Sequence, residues 1–227
     1  MTKSLGTKIE YRRLSTPRAA AIAGILFGLL FGASLILMRS AIPAMVSTDM
    51  SWVKTNGWRI NVALVLMPFA SIAYLWFIGV VRDKLGEFED KFFSTVFFGS
   101  SLLFLAMVFI SMAIAGGILT TYQMITGETP DYTVIYFGRA LMLHINNVYA
   151  LRMAGVTMIS LATIWLRTGL MPRWLTVVTY ILALALLVVV NYSQWITLVF
   201  PAWVLMISLF ILWIRFKHPD VQFLTSD

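Results

Sequence analysis

Apolar residues gather in long unbroken blocks along this chain, at about 19–38, 60–81, 92–121, 147–166, 175–192 and 196–214. Each block approaches or exceeds the roughly 20 residues a helix needs to cross a hydrocarbon core of about 30 Å. In lipid an open strand edge has no water to bond, so helices are the economical solution for such blocks. The pattern predicts an all-α fold: a polytopic membrane helix bundle with six transmembrane helices. The first block follows Thr16-Pro17, a helix cap with proline at the first helical position. Its length exceeds the apolar core of a signal peptide, so it is expected to be a retained span. The domain organisation follows: a basic tail at 1–18, one six-helix transmembrane domain at 19–214, and a tail at 215–227.

The polar punctuation between blocks sets an orientation. Twelve Lys and Arg residues flank the ends shared with the two tails, whereas Arg39, Lys54 and Arg59 alone lie in the opposite connections. The positive-inside rule then predicts that both termini are cytoplasmic. Indoles prefer the headgroup layer. Trp76, Trp165, Trp174 and Trp213 fall near the expected inner ends, Trp52, Trp58 and Trp195 near the outer ones, and Trp203 in mid-span. The third block and an amphipathic stretch at about 133–146 ahead of the fourth are longer than a bilayer requires. They predict two helices protruding together on the outer side, joined by the turn-rich Thr126–Asp131 segment. Pro68 and Pro201, both expected in mid-span, do not occupy matching positions of two halves, which gives an inverted-repeat transporter no support.

Composition agrees. The chain is 60% apolar and 12% charged, a balance outside the range of soluble domains. The net charge of +7 is dispersed around apolar blocks, so no nucleic-acid partner is expected. Absence of cysteine removes disulfides, thiolate metal sites and thiol nucleophiles, and only His144 and His218 remain as imidazoles. No metal site and no cofactor are expected.

Three features carry candidate chemistry. Gly24, Gly28 and Gly32 place small residues on one helix face, for packing within the chain or against another subunit. Arg82–Lys91 has cations ending one helix, a glycine, and acids starting the next, the order that helix dipoles favour in a structural turn. The fourth span holds Arg139, His144, Asn146, Asn147 and Arg152. Arg152 lies about 22 Å from Arg167 along a straight helix, in the outer half of the core. All ten acids lie outside the spans, so no buried carboxylate neutralises it. Arg152 is therefore either a snorkelling anchor or, with Asn147, Tyr149 and His144, part of a ligand or lipid-headgroup site.

Enzyme chemistry finds little support. All six lysines lie in tails or loops, so no retinal Schiff base is available, and no aspartate lies in a span. Gly99-Ser100-Ser101, His144 and Trp58-Arg59 are similar to features of rhomboid proteases, yet the serine lacks that family's following glycine and span six has no histidine. Those serines are expected to pack helices or bond back to carbonyls.

The basic turn Arg167-Thr168-Gly169-Leu170-Met171-Pro172-Arg173-Trp174-Leu175, together with Phe77–Gly86, resembles segments of uncharacterised bacterial six-helix integral membrane proteins. The resemblance implies a bacterial plasma-membrane location and brings no activity with it. Spans five and six offer almost nothing to line a hydrated path. The expected role is a non-enzymatic accessory or scaffold subunit, with the lipid bilayer and either another membrane protein or further copies of itself as partners. The alternative is a small-molecule or anion permease with an outward-facing site near Arg152.

Overall fold

The computed structural model describes residues 17–42, 51–86, 91–124, 132–188 and 194–217. Most of the two tails, the Thr126–Asp131 turn, Glu87–Asp90, Asn191 and His218 lie outside the described residues. The elements are α1 (Pro17–Ala41), α2 (Ser51–Gly86), α3 (Lys91–Met124) and α4 (Thr133–His144). A π-helical turn, Ile145–Ala150, runs directly into α5 (Leu151–Thr168); α6 (Arg173–Val188), a 3-10 turn (Gln194–Leu198) and α7 (Val199–Lys217) complete the chain. Among the described residues there is no strand. Counting Thr133–Thr168 as one rod, five helices are long and apolar enough to cross a membrane, and α6 is a shorter sixth of 16 residues.

The helices extend the expected blocks in informative ways. α2 begins at Ser51 instead of about 60. Lys54, Asn56 and Arg59 lower the local hydropathy there, but Trp52, Val53 and Ile60 still face the core. Asn56 Nδ2 donates to the Ala41 carbonyl at 3.3 Å, supplying a partner for one of the carbonyls that a helix end leaves open. Pro201, expected in mid-span, lies in the first turn of α7. A proline there has no intrahelical bond to break, and the 3-10 turn delivers the chain to it. The connection from α5 to α6 uses Gly169 with φ +66°, whose N–H reaches the Trp165 carbonyl at 2.9 Å. A side chain would resist that left-handed backbone.

Neighbouring helices run antiparallel. Ser34 Oγ donates to the Ala63 carbonyl at 2.8 Å between α1 and α2. Ser111 Oγ reaches the Met142 carbonyl at 3.1 Å between α3 and α4. α1 also lies against α7: a Cβ on Gly24 would collide with Ser208 Oγ, and one on Gly28 would fall 2.8 Å from Leu205 Cβ. Gly32 has nothing within 4 Å of its Cβ position, so the close approach uses the first two glycines only.

Aromatic rings fill the centre. Phe27 and Phe31 of α1, Tyr74 of α2, Phe104 of α3 and Phe200 of α7 are buried and meet in tilted or edge-on pairs, with centroids 4.6–6.1 Å apart. The outward faces are as apolar as the inside. Val177, Ile181, Leu184 and Val188 on α6, and Ile22, Leu26 and Leu29 on α1, are all exposed, as expected where lipid is the solvent.

The tryptophans expected near helix ends differ in the direction they face. Trp52 and Trp165 are buried, Trp165 against Trp203 with centroids 6.3 Å apart, while Trp58, Trp76, Trp174, Trp195 and Trp213 are exposed. Trp203 is buried in the bundle interior and donates from Nε1 to Thr179 Oγ1 at 3.0 Å.

Candidate functional site

The polar residues of the fourth span sit on one continuous rod, α4–π turn–α5. A π turn takes about one residue more than an α turn, so the faces of α4 and α5 are offset by about 100° from simple helical counting. The widened turn sends its polar side chains in different directions. Asn147 faces α1, where its Oδ1 accepts a hydrogen bond from the Arg39 guanidinium. Counting along the sequence put Arg39 in an external loop; it lies instead in the last turn of α1, 8% exposed. Beside it is a cavity of about 20 Å³, lined by Met38, Arg39, Ser111, Met112, Met142 and Asn146. This is about the space of one water molecule. Arg139, one helical segment earlier, is likewise buried.

Arg152 points elsewhere. It is half-buried in a groove of about 150 Å³ between α3 and α5, whose walls are Leu103, Met107, Tyr149 and Met153. Among the described residues no acceptor bonds its guanidinium. Tyr149 shares this groove, and the His144 ring meets Tyr149 edge-on with centroids 5.6 Å apart. His144 and Tyr149 are both exposed. The structure therefore joins Arg152, Tyr149 and His144 along one outward edge and places Asn147 apart from them, on Arg39.

Two further features escaped the sequence. Tyr74, Ser100, Ser101 and Thr157 form a buried hydroxyl cluster joining α2, α3 and α5: Tyr74 OH to Ser101 Oγ is 3.2 Å, and Ser100 Oγ to Thr157 Oγ1 is 2.9 Å. Ser100 also donates to the Val96 carbonyl at 2.7 Å, so these serines do the helix-packing work expected of them. The α2 tyrosine that completes the cluster carries no signal in an apolar run. At the opposite end of the bundle from Arg39, a second apolar cavity of about 120 Å³ is lined by Phe77, Val80, Val81, Trp165, Leu170 and Met171. Both segments that carry the resemblance to bacterial six-helix proteins thus meet around it. Arg82 and Arg167 flank that end, their guanidinium carbons 4.4 and 4.7 Å from the ring centres of Phe98 and Phe93 on α3. Among the described residues no three His, Cys, Asp or Glu side chains come together.

Fold and site together define a class, a multi-pass helical membrane protein with a ring-filled centre and polar groups on one edge. No protein-family model, curated protein or solved structure matches the chain.

Proposed function

We propose that this chain is a non-enzymatic accessory or scaffold subunit of a bacterial plasma membrane, crossing six times with both termini in the cytoplasm and packing laterally against another membrane protein or further copies of itself. The observation that supports the role is the filled centre. Phe27, Phe31, Tyr74, Phe104, Phe200 and Trp203 are buried where a permease keeps a polar, hydrated path. The cavity of about 120 Å³ borders that ring cluster through Phe77 and Trp165 and is apolar-lined, and the groove of about 150 Å³ is apolar-lined apart from Tyr149 and Arg152. The orientation is supported by the cation asymmetry, and the bacterial location by the resemblance of the Arg167–Leu175 and Phe77–Gly86 segments.

Reconstitution into liposomes tests the role. Chloride and phosphate flux should equal that of protein-free vesicles; saturable flux abolished by Arg152→Gln would establish the permease instead. Because the chain has no cysteine, single cysteines at Ser4 and Thr129 report orientation cleanly. An impermeant maleimide should label position 129 in intact cells and position 4 only after lysis, and the reverse order would invert the topology.

A further inference from the structure

We infer that the groove between α3 and α5 is a phospholipid site, with Arg152 bonding the phosphodiester and one acyl chain lying along Leu103, Met107 and Met153. Charge is the first argument. A guanidinium on a membrane-depth helix needs an anion, and among the described residues none bonds Arg152. All ten carboxylates of the chain lie outside the apolar spans and, among the described residues, none lines this groove, which leaves the guanidinium open to an anion from the bilayer.

Depth is the second. Helical side chains lean toward the N-terminus of their helix, which for α5 is the end that continues into α4. Arg152 starts about 22 Å along the rod from Arg167, so this lean carries its guanidinium toward the headgroup level of the leaflet on the α4 side. Tyr149 stands about one turn nearer that surface on the same groove, with His144 against its ring. The edge therefore offers a phenol hydroxyl and an imidazole above a fixed cation, donors suited to phosphate oxygens.

The walls are the third. Leu103, Met107 and Met153 supply no polar atom that hydrogen-bonds strongly, and the thioethers adapt to an irregular chain. A free anion would gain nothing from such walls, whereas a lipid uses both halves of the groove. Leu103 is half exposed at the groove's lip, open to the bilayer from which the lipid enters. The inference does not depend on the subunit reading, since a permease or an enzyme would hold a lipid there by the same contacts.

The test is native mass spectrometry of the purified full chain with palmitoyl-oleoyl phosphatidylglycerol, dioleoylglycerol and inorganic phosphate as separate additions. Phosphatidylglycerol should form a defined adduct and dioleoylglycerol, which lacks the phosphate, should not. Arg152→Gln should weaken the adduct about tenfold or more, the scale of one charge-assisted hydrogen bond, and Arg152→Lys should recover part of it. Excess inorganic phosphate should leave the lipid bound. Equal adducts for wild type and Arg152→Gln, equal binding of dioleoylglycerol, or full displacement by phosphate would each overturn the proposal, the last by making this a simple anion site. Leu103→Trp gives a second reading that keeps Arg152 in place: filling the groove at its exposed lip should also reduce the adduct, and an unchanged adduct would contradict the acyl-chain seat.

Discussion

Arg39 shows what a buried charge at a helix end demands. Its guanidinium has left water and bonds Asn147 Oδ1, so removing the acceptor alone should be worse than removing both partners. We predict that Asn147→Ala lowers stability by about 1–3 kcal/mol, and that Asn147→Leu costs less when Arg39→Met accompanies it. Thermal unfolding of wild type, the two Asn147 variants, Arg39→Met and the double variant in one detergent measures this, and strictly additive effects would contradict the pairing. The pair was not legible in the sequence. Arg39 and Asn147 are 108 positions apart, and a charge just beyond an apolar block reads as a loop residue whichever way it faces. The burial of Trp52 and Trp165 was hidden for the same reason, since hydropathy reports depth along a helix and not the direction of a side chain. That no carboxylate lies within a span to meet Arg152 was visible beforehand, because it follows from counting acids along the sequence.

Helices were the readable level. Five spans and a shorter sixth apolar helix, their approximate centres and the length of the third and fourth follow from apolar block length, whereas the 36 residues of α2 do not. Their ends were less readable, as the Ser51 start of α2 and the first-turn position of Pro201 show, because polar residues at headgroup depth do not stop a helix. The π turn at Ile145–Ala150 left no mark that composition could reveal, whereas the separation of Asn147 from Arg152 was legible, since five residues of ordinary helix already set them about 140° apart. The glycine face of α1 gives a graded prediction. Gly28→Ala places a methyl group 2.8 Å from Leu205 Cβ and 3.1 Å from the Pro201 carbonyl oxygen, and should cost about 1–3 kcal/mol by overpacking. Gly32→Ala meets open space and should be neutral or stabilising by up to about 1 kcal/mol through helix propensity. Gly24→Ala should be rescued in part by Ser208→Ala, because its nearest obstacle is the Ser208 hydroxyl, a buried group with no hydrogen-bond partner in the described structure, while Phe77 Cδ2 at 3.0 Å and Ser208 Cβ at 3.1 Å remain. Denaturation midpoints order these variants; equal losses at positions 28 and 32 would contradict the α1–α7 contact.

For the whole molecule, the interior and exterior are nearly equal in apolarity, so stability depends on close packing, ring contacts and interhelical hydroxyl bonds more than on expelling water. The Phe27–Tyr74–Phe104–Phe200 cluster closes the centre and leaves the outer faces for partners. The filled core is the feature on which the proposed lateral-subunit reading rests. The direct measurement is the mass of the particle extracted from native membranes in a lipid-preserving polymer without detergent. The account predicts a defined assembly in which the chain is stoichiometric with a second membrane protein or with further copies of itself. A single chain surrounded only by lipid would contradict it.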